Sequence, residues 1–219
     1  MTKEPTPLAD LQKRIPKDVP DSTVLHFLSM PYAKPTIEDS DFRILSQSRT
    51  VTHDGTGHTL MGKTWNTEDT IGQLLTLFRP PKNYNNGNSN SESLVVSSES
   101  ERGEMRRFYT FGGDLNAHPD LLHGGVIGCI LDSSLGGAVG MTLAKIEGGA
   151  PSFTVQLNVT FKAAVKTPGT VMVRSWVTRV EEDGRKAWAK GVIESEGGVI
   201  HAMAEGLWLR PSRKGKSKM

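Results

Sequence analysis

The sequence predicts an α+β fold in which one long central helix lies against antiparallel strands. Three observations carry this. From Gly124 to Ala144 apolar residues recur at Val126, Ile127, Ile130, Leu131, Leu135, Ala138 and Val139, the 3.6-residue period of a buried helix. From Thr154 to Lys162 the period changes to two: Val155, Leu157, Val159 and Phe161 alternate with Thr154, Gln156, Asn158 and Thr160, as on a strand with two unlike faces. Three more strand-like runs follow, Thr170 to Val180, Lys186 to Ser195 and Val199 to Leu209, divided by the turns EEDGR and EGG, so the chain ends as an antiparallel meander. A helix followed by a run of strands, with no regular alternation of the two, is the α+β pattern.

The remaining elements follow in chain order. Residues 1–64 are broken by Pro5, Pro7, Pro16, Pro20, Pro31 and Pro35 and read as an extended leader, part of which wraps the domain. In 65–81, Asn66 and Thr67 are candidate caps, Glu68 and Asp69 suit a first turn, and Ile71, Leu74, Leu75 and Phe78 share a helical face. This predicts an accessory helix over Asn66 to Phe78, stopped by Pro80 and Pro81. Residues 82–104 are rich in Asn, Ser and Glu and read as a mobile insertion. The domain proper spans 105–210. It opens with a strand from Met105 to Phe111, closed by Gly112 and Gly113, and a loop from Asn116 to Leu122 through Pro119. Residues 211–219 form a basic tail.

Composition excludes several function classes. Of 219 residues, 36% are hydrophobic and 23% charged, enough for one core with extensions. A net charge of +2 gives no global field toward nucleic acid. The single cysteine, Cys129, leaves no internal disulfide and lies in an apolar run that predicts burial. No stretch approaches the ~20 apolar residues of a membrane span, and the N-terminus lacks a secretory apolar region. The expectation is a cytoplasmic protein without stable membrane insertion. Lys3, Lys13, Arg14 and Lys17 make a mitochondrial address the alternative, opposed by Glu4, Asp10 and Asp18. His53 and His58 hint at metal, but no Cys or acidic cluster completes a ligand set, so no metal site is expected.

The helix carries the candidate chemistry. Gly125, Cys129, Asp132, Gly136 and Gly140 form a stripe of small residues with a carboxylate in its middle. Gly128, Gly136, Gly137 and Gly140 together cost about 4 kcal/mol of helix propensity relative to alanine. Close approach of a ligand or another backbone to this face would compensate. The opposing reading has the glycines serve helix–sheet packing while Asp132 faces water or bonds Ser133. At the helix start, His123, Gly124 and Gly125 place free N–H groups and the positive helix end together, which suits an oxyanion. An ordinary start with a loose glycine cap is the plain alternative.

The run HGGVIGCILD, with Asp132 nine residues after His123, resembles the signature of the hotdog thioesterase superfamily, in particular its phenylacetate-type and thioesterase-superfamily-member acyl-CoA hydrolases. The flanking NAHPDLLHGG and FTVQLNVTFKAAVKTPG extend the similarity over residues 105 to 210, and the leader with WNTEDTI resembles a fungal branch. The resemblance implies a hotdog fold and hydrolysis of acyl-CoA to free acid and CoA. It implies that Asp132 is the general base or nucleophile, that the Gly124 N–H holds the thioester carbonyl, and that Thr154 orients water or carboxylate. It assigns His123 and Asn116 to the mouth of the helix, although Asn116 lies seven residues before His123 where relatives have six. The loop between Asp132 and Thr154, GMTLAKIEGGAPSF, is longer than in compact relatives, enough to reshape an acyl pocket. It further implies a homodimer or tetramer with the site at the subunit seam.

A thioester is activated enough that one carboxylate and an oxyanion hole suffice, so no cofactor is implied. Binding CoA phosphates requires cations; the candidates are Arg185 and Lys186 at a hairpin, which resembles the family's phosphate-contacting turn, and Lys162, with Gly125 beside the carbonyl. Rival readings are a thioesterase acting on carrier-protein-bound chains and a non-catalytic acyl-binding module.

Overall fold

Helical period and strand alternation meet in one core, where Ile130, Leu131, Leu135 and Val139 pack against Tyr109, Phe111, Val173, Ile193 and Trp208. The structure, a computed structural model, describes residues 8–46, 49–81, 94–95, 103–147, 151–181 and 183–211. Its helices are α1 (Leu8–Gln12), α2 (Asp21–Leu28), α3 (Lys34–Glu38) and α4 (Gly124–Glu147). Its strands are β1 (Arg43–Ile44), β2 (Ile71–Arg79), β3 (Leu94–Val95), β4 (Glu104–Phe111), β5 (Asn116–His118), β6 (Leu121–Leu122), β7 (Phe153–Phe161), β8 (Gly169–Val180), β9 (Lys186–Ser195) and β10 (Val199–Leu209). The large sheet runs β1-β2-β4-β8-β9-β10-β7, with β3 beside β8, and every pair is antiparallel. α4 lies across its inner face, the expected hotdog arrangement of a helix wrapped by a curved antiparallel sheet. By length and composition Gly124–Leu143 would span a bilayer, but it is the core helix, with Leu131, Leu135 and Val139 buried against the strands.

The meander holds for β8, β9 and β10, whereas β7 lies beside β10 at the edge instead of beside β8. The loop after β7 carries the chain to the far side of the sheet, where β8 pairs with β4 through Met105↔Ser175 and Phe108↔Met172. Asn116 to Leu122, expected as a loop, is a short hairpin of β5 and β6 turned through Pro119 and Asp120.

The accessory helix expected over Asn66 to Phe78 is corrected: the segment enters strand β2. Leu74, Leu75, Thr76, Leu77 and Phe78 are buried consecutively. Leu74 joins the inner core while Leu75 and Leu77 join an outer one. A strand covered on both faces loses its alternation and mimics helical spacing over so short a run.

The outer cover is the leader, which is not simply extended. Pro20 caps α2 and Pro35 sits in the first turn of α3, where a missing N–H costs nothing. These helices drive Leu11, Val24, Phe27, Ile37 and Phe42 onto Leu75, Leu77 and Phe108. Each such side chain contributes about 1.5–3 kcal/mol by leaving water. Thr23 Oγ1 donates to Gln73 Oε1 at 2.6 Å, tying the leader to β2, and Arg14 Nη2 donates to Asp39 O at 2.9 Å within the leader. Of the expected insertion, 82–93 and 96–102 lie outside the described residues, as does the tail from 212 to 219; Leu94–Val95 form β3.

Candidate active site

The middle of α4 and the start of β7 bring the carboxylate and its partner together. Thr154 Oγ1 donates to Asp132 Oδ1 at 2.8 Å. Ser133, the alternative partner, turns away and accepts from Arg107 Nη1 at 2.7 Å. The glycine stripe divides by role. A Cβ at Gly136 would stand 3.2 Å from Trp208 Nε1, and one at Gly137 would stand 2.6 Å from Arg107 Nη2, so these two glycines serve packing. Cβ atoms at Gly128 and Gly140 would meet nothing within 4 Å. Cys129, expected inside, is exposed on this face because its helical position falls with Gly125 and Gly140, away from the sheet. Partial desolvation by the surrounding protein, and then the Asp132 charge, push the pKa of this surface thiol up.

The helix start is a separate place. His123 Nδ1 accepts from the Gly125 N–H at 2.8 Å, so that donor is engaged within the chain. The Gly124 N–H, in the first turn, has no intrahelical carbonyl to reach. The Phe161 ring lies 3.6 Å from where a Gly124 Cβ would be. Asn116 Oδ1 accepts from Thr167 Oγ1 at 2.5 Å, which joins it to the loop after β7 and not to Asp132. Lys162 follows Phe161 and is exposed. At the other end of β7, Thr154 aligns with Trp208 and Ala187, which places the Arg185–Lys186 hairpin two strands away, about 10 Å. Lys186 Nζ is paired with Glu181 at 3.2 Å and Arg185 is exposed.

The predicted residues therefore fall into two groups. Asp132, Thr154, Arg185 and Lys186 lie at one end; Asn116, His123, Gly124, Gly125 and Lys162 lie at the other. Asp132 lies eight residues after Gly124 along the helix, about 12 Å, so one chain does not aim both at the same carbonyl. The edge between the groups is open. Phe153, Val155 and Phe161 on β7 are 59%, 58% and 56% exposed. A groove of about 330 Å³ lined by Gln156, Asn158, Arg179 and Trp188 lies on the outer sheet face, away from Asp132. Among the described residues no three His, Cys, Asp or Glu side chains gather as a metal set.

Residues 120–183, from β6 through α4 and β7 to β8, match the family described as the thioesterase superfamily. Among solved structures the chain is similar to zebra fish thioesterase superfamily member 2 at 19% identity, over 54% of this chain and 81% of that one, with a TM-score of 0.45. It is similar to a Haemophilus influenzae thioesterase at 16% identity, over 52% and 75%, with a TM-score of 0.44. A Bacillus halodurans protein in a structure with CoA is 23% identical over 56% and 75%, with a TM-score of 0.42. No curated protein matches the chain.

Arg107 was missed in the sequence. Its signal is visible in retrospect: it falls in phase with Met105, Tyr109 and Phe111, which places a cation on the buried face of β4.

Proposed function

We propose that the chain is an acyl thioesterase that hydrolyses acyl-CoA thioesters at a seam between two copies. The observation that carries this is the Thr154–Asp132 hydrogen bond beside an open sheet edge. An exposed edge strand with three large apolar side chains is a template for pairing. Antiparallel pairing of β7 with its own copy, centred near Leu157, sets Phe153 opposite Phe161 and brings Asp132 of one chain toward Gly124 of the other. The two groups then complete one site, and a dimer holds two.

In that site Asp132 takes a proton from a water held beside Thr154, and the water oxygen bonds the thioester carbon. The developing oxyanion is received by the Gly124 N–H at the positive end of α4. The C–S bond breaks, the thiolate leaves with a proton and the free acid remains. Direct attack by Asp132, followed by hydrolysis of the anhydride, uses the same groups. Arg185 and Lys162 are exposed cations at opposite ends of β7, so pairing brings them to the same mouth, where CoA phosphates would lie.

Thiol release from a panel of acyl-CoA esters by wild type and Asp132→Asn tests this. The expected result is turnover that falls about a thousandfold in the variant, the scale of losing a central catalytic group. A folded wild type that releases no thiol from any ester, or a variant as active as wild type, defeats the reading.

A further inference from the structure

Arg107 is a buried cation without a counter-charge. It is 5% exposed, its Nε has no partner, and its one hydrogen bond among the described residues runs to Ser133. The neighbouring arginines on the outer face are different: Arg106 meets Glu104 at 2.7 Å and Arg174 meets Glu194 at 3.1 Å. Among the described residues Arg107 forms no ion pair. Its register partner Thr76, buried on the adjacent strand between Leu74 and Phe78, also has a hydroxyl without a partner among the described residues. A guanidinium keeps its charge at any ordinary pH, so burying it calls for an anion.

The position says which anion. Ser133 follows Asp132 in the helix, so their Cα atoms are about 3.8 Å apart and their side chains diverge by roughly 100°. The ridge between these flanks carries Gly136 and Gly140, and Gly140 borders open space. Gly137, where a Cβ would stand 2.6 Å from Nη2, lets the guanidinium lie against the helix. Trp208 covers Gly136, so an acyl chain whose carbonyl sits at Asp132 would cross the helix at the open Gly140 to end at Arg107.

We propose that Arg107, with Ser133 and Thr76, binds a carboxylate at the far end of the acyl group, so that ω-carboxyacyl thioesters are preferred over plain acyl thioesters. This rests on the hydrolase reading above. Ser133 Oγ accepts from Arg107 and passes its own proton toward the carboxylate, Thr76 offers a second hydroxyl donor, and the free guanidinium edge supplies charge-assisted bonds.

The test measures kcat/KM for succinyl-, adipoyl- and suberoyl-CoA against butanoyl-, hexanoyl- and octanoyl-CoA, together with the Tm shift produced by free adipate and by hexanoate. Wild type is expected to favour at least one ω-carboxyacyl ester over its plain partner. Arg107→Met is expected to lower that ratio about a hundredfold, chiefly through KM, as when a buried polar site loses its group. Arg107→Lys, which keeps the charge and loses the fork, lowers it by an intermediate factor, and serves alone should Arg107→Met not fold. Adipate raises the Tm of wild type and not of Arg107→Met. No preference in wild type, or an unchanged ratio in the Arg107 variants, overturns the proposal. If no ester is turned over, the hydrolase reading fails by itself and adipate decides: a shift confined to wild type supports the carboxylate site, and no shift overturns it.

Discussion

Thr154 Oγ1 donates to Asp132 Oδ1 across 2.8 Å, although the two residues lie 22 apart in sequence and on different elements. In the proposed hydrolase this hydroxyl orients one carboxylate oxygen and leaves the other to act. A hydrogen bond to a charged group is worth about 1.5–3 kcal/mol, so Thr154→Ala is expected to lower kcat about ten- to a hundredfold, and Thr154→Ser to restore most of it. Equal kcat in Thr154→Ala and wild type would show that the contact is only structural.

Asp132 and Gly124 of one chain lie about 12 Å apart along one helix, so in the proposed dimer they serve two different sites. Asp132→Asn removes the carboxylate, and Gly124→Pro removes the N–H at a helix position that tolerates proline. Each variant alone is expected to be inactive. Co-refolded in equal amounts they are expected to regain up to about a quarter of wild-type activity, since half the dimers are mixed and each mixed dimer has one intact seam. A mixture no more active than its components would mean that each site lies within one chain.

His26 ties the leader to the sheet: its Nε2 lies 2.8 Å from Thr110 Oγ1, which lies 2.8 Å from Thr170 Oγ1. Burial holds the imidazole below its ordinary pKa of 6.5. On unfolding the ring regains that value and takes up a proton more readily than in the folded protein. The stability it contributes is therefore present above pH 6.5 and is lost as pH falls through the lowered value. Urea midpoints measured from pH 7.5 to 5 should fall more steeply for wild type than for His26→Gln, and parallel curves would remove His26 from the linkage.

How far each element could be read depended on how many of its faces are covered. α4 and β7 to β10 carry a 3.6- or two-residue apolar period over much of their length, and turn residues mark most of their ends, so their bounds were foreseen within a few residues. β2 is covered on both sides by α4 and the leader, so Leu74, Leu75, Leu77 and Phe78 carried no alternation and imitated a helix. The leader's helices are five to eight residues long and held by tertiary burial, which leaves little local signal.

The residues alone carried the central helix and the strands behind it, because period and turn residues are local to each element. Folding decided the rest. Whether Asp132 bonds Ser133 or Thr154, whether Cys129 is inside or out, and whether Arg107 finds a counter-charge depend on which strands cross which flank of α4. Those contacts join residues far apart in sequence, where local periodicity has no reach.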